Sequence, residues 1–365
     1  MSHSVEPVNL ADYEQLARQQ VEPGAWGYLA GGADDEVTLR DNVEAFQRLK
    51  LLPRVLVDVS SVDPAVTVLG QRVALPVLLA PTAFQSLAHP DGELASTRAA
   101  SAAGTITMVS TLSAHRLEDI AAAAPGPKWF QLYCYKERDV TRRFVERAEA
   151  AGFRAICLTV DLPRVGNRER DLRNRFFLPP AVRPRNFEEF VGVDVEARGN
   201  EVFFQYIQRL IDPSLTWEAV DWLRSTTRLP VLLKGILTAA DAKRAVDHGV
   251  AGIVVSNHGG RQLDGVPAAI EVLPEIAEAV DARAEVLVDG GVRRGTDVLK
   301  ALALGAGAVL IGRPYVYGLA VDGEAGARRV LEILGTEFAL ALALAGCPSA
   351  RQVPRDLVRR SPSLR

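Results

Sequence analysis

Residues 256–265 read Ser256-Asn257-His258-Gly259-Gly260-Arg261-Gln262-Leu263-Asp264-Gly265 and follow directly on the apolar run 251–255. The run reads as a buried strand that ends in an imidazole, two glycines and, three residues past the histidine, a guanidinium. Glycines let the backbone turn sharply and leave room around polar side chains. A proton acceptor and a carboxylate-binding fork therefore stand together at a strand's C-terminal end, where α/β folds place their chemistry. A lone histidine is often a hydrogen-bonded structural residue; beside Gly259, Gly260 and Arg261 the catalytic reading of His258 is preferred. The other histidines carry less: His89 reads as part of a turn into a helix, His115 and His248 as surface or cap residues, and His3 as tail.

Polar residues that interrupt apolar strands extend the pattern. Lys234 ends Val231-Leu232-Leu233, where an ammonium is costly to bury unless an anion meets it. It is either one half of an ion pair across a barrel mouth or a partner for an electron-rich ligand. Asp161, after Ile156-Cys157-Leu158-Thr159-Val160, is either a helix cap or the carboxylate that orients His258 and stabilises its protonated form. Two Gly/Arg elements, Asp289-Gly290-Gly291-Val292-Arg293 and Ile311-Gly312-Arg313-Pro314, have the composition of a phosphate cradle: exposed backbone N–H groups, a helix start and a bidentate fork.

These residues need a scaffold that gathers strand ends. From residue 73 onward eight short apolar runs, at 73–81, 105–110, 129–133, 155–161, 230–235, 252–256, 285–290 and 308–312, alternate with helical patterns such as 92–103, 140–151, 239–248 and 295–304. Continuous Val/Ile/Leu runs are expected of parallel strands buried on both faces. Eight of them alternating with helices predict an α/β fold of the (β/α)8 barrel type, with the phosphate cradle in its usual place after strands seven and eight. No GxGxxG follows an early strand, which argues against a dinucleotide-binding fold. Residues 1–70 form a mostly helical N-terminal extension, 71–350 the barrel, and 351–365 a tail. An irregular insertion at about 168–215 after strand four reads as a lid, with Val202-Phe203-Phe204 as an apolar patch able to cover a pocket or touch a neighbouring subunit.

Composition narrows the class. A net charge of −3 over 365 residues gives no footprint for nucleic acid. No apolar run reaches the roughly 20 residues of a membrane span, and the N-terminal stretch lacks the apolar core of a signal peptide. The ending Ser363-Leu364-Arg365 does not match the peroxisomal address. Cys134, Cys157 and Cys347 are scattered, with no CxxC, so no metal site or disulfide framework is expected and a reducing, cytoplasmic setting fits.

With these residues assembled, the chain resembles the FMN-dependent 2-hydroxy acid oxidases: glycolate, lactate and hydroxymandelate oxidases and related dehydrogenases. The resemblance spans roughly residues 10–350. It rests on Tyr28, Ala80-Pro81-Thr82-Ala83, Gln131-Leu132-Tyr133, Thr159-Val160-Asp161, Gly166-Asn167-Arg168-Glu169, Leu233-Lys234-Gly235, the 256–264 segment and Asp289-Gly290-Gly291-Val292-Arg293-Arg294-Gly295. It implies FMN held by the Pro81, Thr82 and Ala83 backbone, Ser110, Gln131, Thr159, Lys234 and Ser256. Asp289 and Gly290 complete that site, and Gly291, Arg293, Gly312 and Arg313 would take the phosphate. Arg168 and Arg261, with Tyr28, would clamp a substrate carboxylate. Tyr133 would bond the substrate hydroxyl, His258 would act as base, and Asp161 would stabilise the imidazolium. The implied partners are a small 2-hydroxy acid and O2, and the implied assembly is a homotetramer.

Departures from the pattern bear on specificity. Leu112 stands where glycolate oxidases carry tryptophan, and Val165 where leucine is usual; both enlarge the substrate-side wall. A pocket open to aryl or longer alkyl 2-hydroxy acids is expected unless Phe84 or Phe203-Phe204 fills the space. Membrane-bound relatives carry an apolar anchor in the segment matching 168–215, whereas Glu188, Glu189, Asp194, Glu196, Arg198 and Glu201 make this one too charged. Ala83, where dehydrogenases often have glycine, also favours O2 as acceptor, giving a 2-oxo acid and hydrogen peroxide. A phosphate-binding barrel of the inosinate dehydrogenase kind would need a catalytic cysteine near His258, and there is none.

Overall fold

Eight parallel strands close into a barrel in the computed structural model, which describes residues 6–190 and 209–360. They are β1 (Val77–Leu79), β2 (Thr107–Ser110), β3 (Lys128–Leu132), β4 (Ile156–Thr159), β5 (Val231–Ile236), β6 (Gly252–Val255), β7 (Glu285–Asp289) and β8 (Ala308–Ile311). Each strand pairs with its neighbour in sequence, and β8 closes on β1 with Val309 opposite Val77, so the sheet has no free edge. Strands covered on both faces need apolar residues at every position, which is why these runs do not alternate. The helices outside them bury one stripe: in Arg138–Ala150 the buried residues are Thr141, Phe144, Val145 and Ala148, spaced at the helical repeat.

Three segments differ from the sequence expectation. The run at 73–81 contains two strands, because Pro76 lacks an N–H and interrupts the ladder. Gln71–Val73 forms an antiparallel hairpin with Val66–Val68, and only Val77–Leu79 enters the barrel. The extension is helical over Leu10–Gln20, Pro23–Ala30 and Val37–Gln47, but Leu49–Leu51 is a strand. It pairs with Val358–Arg360, so part of the expected tail is tied back to the extension. The insertion after β4 is anchored to the barrel rim. Asn186, fully buried, donates to Thr111 O and Ser113 Oγ, and Asp212 N donates to Cys134 O. Val202-Phe203-Phe204, Asp194, Glu196, Arg198, Glu201 and His3 lie outside the described residues. No helix among the described residues is long and apolar enough to cross a membrane.

Candidate active site

The polar residues singled out from the sequence converge at the C-terminal rim, because all eight strands point the same way. A single cleft there is lined by Tyr28, Pro81, Thr82, Ala83, Ser110, Leu112, Gln131, Tyr133, Thr159, Arg168, Lys234, His258, Arg261, Asp289, Gly290, Gly291, Arg293, Gly312 and Arg313. Ser256 and Asp161 stand immediately behind it, bonded to Lys234 and His258.

After β6 the chain runs left-handed through three consecutive residues, His258, Gly259 and Gly260, with φ of 59°, 64° and 72°. For a residue with a Cβ this costs about 1–2 kcal/mol. Neighbouring contacts hold His258 there. Ser256 Oγ accepts from His258 N at 3.0 Å, and Asn257 Oδ1 accepts from Gly260 N at 3.1 Å. The Asn257 amide also exchanges two hydrogen bonds, of 2.8 and 2.9 Å, with Asn42 on the helix Val37–Gln47. At Gly260 a Cβ would sit 2.6 Å from Leu39 N, so only glycine lets the extension come this close.

The turn carries the imidazole to the end of β4, where its Nδ1 donates to Asp161 Oδ1 at 2.9 Å. That tautomer leaves Nε2 as the acceptor. Asp161 can lean in because β5 bulges between Lys234 and Ile236. Gly235, at φ 110°, would place a Cβ only 2.5 Å from Asp161 Cβ. Gln262 Nε2 fastens the two loops together by donating to Asp161 O and Arg164 O. Burial pushes His258 down; Asp161 opposes this, while Lys234 and Arg168 reinforce it, so the imidazole stays below its ordinary range. Burial pushes the Asp161 carboxyl up, but His258 and Lys234 outweigh it and hold the carboxyl low. At neutral pH the pair is a carboxylate and a neutral imidazole, the protonation state of a general base.

Lys234 is buried and its Nζ lies 2.9 Å from Asp289 Oδ2 and 2.8 Å from Ser256 Oγ. Burial opposes its charge, and Asp289 and Asp161 more than restore it. Both readings of this lysine hold in geometry: it is an ion pair across the barrel mouth, and it lines the cleft. Gln131 is locked beside it, donating to Thr159 Oγ1 at 3.0 Å and accepting from Ser110 Oγ at 3.2 Å.

Two further guanidiniums dock the extension. Arg261 Nη1 donates to Tyr28 O and Gly31 O, and Arg313 donates to Ala30 O, Gly31 O and Gly259 O. All but Gly259 O are carbonyls at the C-terminal end of the helix Pro23–Ala30, including its cap Gly31, which lack helical partners and favour cations. Tyr28 is thereby fixed, with Arg261 Cζ 5.0 Å and Arg168 Cζ 5.9 Å from its ring centroid. Burial first, and Arg168 second, push Arg261 down to about 9. Two half-buried cations around one phenol ring call for an anion between them. Tyr133, buried, has its hydroxyl pushed up by burial and stays a proton donor.

The sequence reading did not single out several residues that shape the site. Asn42 lies 215 residues from its partner Asn257, a pairing that no local signal announces. Glu93 is buried and accepts from Gln85 N, Ala114 N and His115 Nδ1. His115 is therefore a partner of a buried carboxylate rather than a simple surface residue. His89 does sit at the turn before Gly92–Ala102, and His248 caps Ala239–Asp247.

The cleft fits a flat group with an anionic tail. Its floor has amide and hydroxyl edges from Gln131, Ser110 and Thr159, and Asp289 Oδ1 and Arg168 Nε are buried without partners. At its far end Arg293 and Arg313 meet Gly291 and Gly312, and a Cβ on Gly312 would find no atom closer than 3.8 Å. Relatives carry the same frame. A mouse 2-hydroxyacid oxidase is 51% identical over 360 residues, covering 97% of both chains. An L-lactate oxidase from Nostoc is 51% identical over 352 residues, covering 95% of this chain and 96% of its own. The crystal structure of a mandelate oxidase with 3,3-difluoro-2-hydroxy-3-phenylpropionic acid superposes with a TM-score of 0.89 at 46% identity, over 98% of this chain and all of that one. The profile described as FMN-dependent dehydrogenase matches residues 17–360, and with the barrel, the phosphate-ready end and the base at its rim already in view, this chain belongs to that family.

Proposed function

We propose that this protein oxidises a 2-hydroxy acid to the 2-oxo acid, with O2 as electron acceptor. The observation that carries the reading is the meeting, in one cleft, of the Asp161–His258 pair with two guanidiniums around Tyr28. The names and near-complete coverage of the relatives support it. When bound, FMN supplies the two-electron acceptor that O2 regenerates, yielding hydrogen peroxide. The Pro81, Thr82 and Ala83 backbone, Ser110, Gln131, Thr159, Lys234, Ser256, Asp289 and Gly290 would hold its ring region. Gly291, Arg293, Gly312 and Arg313 would hold its phosphate.

The chain's own residues then have distinct tasks. Arg168 and Arg261 bind the carboxylate and fix the orientation of the α-carbon, which makes the reaction effectively unimolecular. Tyr133 and Tyr28 engage the polar groups of the substrate, and Tyr133 donates to its hydroxyl. His258 Nε2 takes up a proton, and Asp161 stabilises the imidazolium across their 2.9 Å bond. An anaerobic spectrum of the purified protein, titrated with glycolate, lactate, mandelate and 4-hydroxymandelate, tests the whole scheme. Loss of the flavin absorbance with at least one of them is expected; no loss with any would overturn it.

The Asp161–His258 pair predicts a pH effect. His258 must be neutral to accept a proton, so the rate of reduction should fall as pH drops through its lowered pKa. Asp161 is the influence that raises that pKa, so Asp161→Asn should move the acidic limb to still lower pH. The rate on the plateau should drop about 10²-fold through loss of imidazolium stabilisation. A pH profile of anaerobic reduction reads both; a limb shifted upward would refute the pairing.

For the substrate we favour an aryl or longer-chain acid. Leu112 and Val165 line the cleft, while Phe84 is fully buried against Tyr28 and is not part of the lining. Mandelate should exceed glycolate in kcat/KM, and Leu112→Trp should reverse the preference by about 10–100-fold. A clear preference of the unmodified protein for glycolate would discard the idea. A cytoplasmic homotetramer is the accompanying proposal. The three cysteines are buried and unpaired, as a reducing compartment allows. Leu52, Val55, Leu56, Leu340 and Leu344 are exposed, and Arg54 N bonded to Ala345 O brings their two segments together as an apolar patch suited to a subunit contact.

A further inference from the structure

A second chamber adjoins the cleft. Tyr133, Thr159, Leu162 and Ile211 line both spaces. The chamber lies across the barrel wall from the cleft, as strand alternation requires. On β5 Lys234 faces the cleft and Leu233 the chamber; past β4 Val160 lines only the chamber. Its inner wall, with Cys134, Leu233 and Val220, is buried, whereas Thr216 and Asp241 at its outer end are exposed. The space therefore connects solvent to the back of Tyr133 by a route that avoids the arginine-lined mouth.

We propose that this chamber is the passage by which dioxygen reaches the cleft, an inference that rests on the oxidase reading above. A substrate held by its carboxylate between Arg168 and Arg261 occupies the cleft and closes the direct approach. Its tail would have to cross the barrel wall to enter the chamber, but a diatomic molecule passes between side chains. The inner wall at Val160, Leu162, Val220 and Leu233 is apolar and suits dioxygen, which partitions into apolar space much as xenon occupies apolar cavities. Dioxygen gains two electrons and two protons, originally those lost by the 2-hydroxy acid, and leaves as hydrogen peroxide. The polar outer end at Thr216 and Asp241 suits that product.

Two measurements on the FMN-loaded full chain test this. Xenon under pressure should occupy the chamber in crystals of the unmodified protein and slow reoxidation by O2 of the pre-reduced protein whose cleft is filled with a 2-oxo acid. Leu215→Trp and, deeper in, Val220→Phe should exclude xenon and lower the second-order rate constant with O2 about tenfold, while anaerobic reduction by substrate stays within about twofold. Should either variant fail to fold, xenon competition in the unmodified protein still decides. An empty chamber under xenon, an unchanged O2 rate once xenon is excluded, or variants that impair only long-chain substrates would each overturn the passage. If no 2-hydroxy acid reduces the unmodified protein, the oxidase reading fails instead, and xenon occupancy still reports on the chamber.

Discussion

His258→Ala should leave a yellow, FMN-loaded protein that 2-hydroxy acids no longer bleach at a measurable rate. The imidazole borders the cleft with Nδ1 committed to Asp161, so its free nitrogen is the one acceptor placed by this pair to take a substrate proton. A positioned general base is worth about 10²–10⁴-fold, and the anaerobic rate of reduction should fall by that much. Flavin content should not change, because every proposed cofactor contact except Ser256 lies on another strand, and Ser256 and Asn257 themselves hold the turn. Stopped-flow reduction and the flavin-to-protein absorbance ratio give the two readouts. Unchanged bleaching would remove His258 from the chemistry, while loss of flavin would make it a structural residue.

Arg261→Leu should cost kcat/KM about 10²–10⁴-fold, the range for removing one partner of a buried charge contact. The effect has two sources that a second variant separates. Arg261 faces the cleft beside Tyr28, and the same guanidinium donates to Tyr28 O and Gly31 O, holding the extension on the rim. Arg261→Lys keeps the charge but loses the planar fork. It should recover part of the affinity, seen in KM, without restoring kcat, because orientation of the carboxylate needs two parallel donors. Steady-state kinetics with mandelate and lactate measures the split. A variant with wild-type kcat/KM would exclude Arg261 from the clamp.

The candidate site was legible in the sequence to the extent that its residues interrupt strands. Lys234, Asp161 and His258 stood out because each follows a run that should stay apolar, and parallel strands in a closed barrel must bring such ends to one rim. Arg293 and Arg313 were found by their glycine neighbours. Asn42, Glu93 and the docking of Tyr28 were not, since polar residues inside amphipathic helices look like solvated faces until a partner is known. Strand one was misjudged in length for a related reason: Leu75-Pro76-Val77 is apolar throughout, and only hydrogen bonding shows where Pro76 splits it.

By itself, then, the chain's order of residues determined the closed eight-stranded barrel and the identity of the groups on its rim, because periodic burial and glycine placement are local properties. What only folding decided is which of those groups touch. The left-handed turn that delivers His258 to Asp161, the bulge at Gly235 that admits the carboxylate, and the two arginines shared between the cleft and a helix end all depend on contacts between distant segments. Such contacts are set by packing in three dimensions, where a glycine's missing Cβ or a helix's unpaired carbonyl acquires meaning from whatever lies against it.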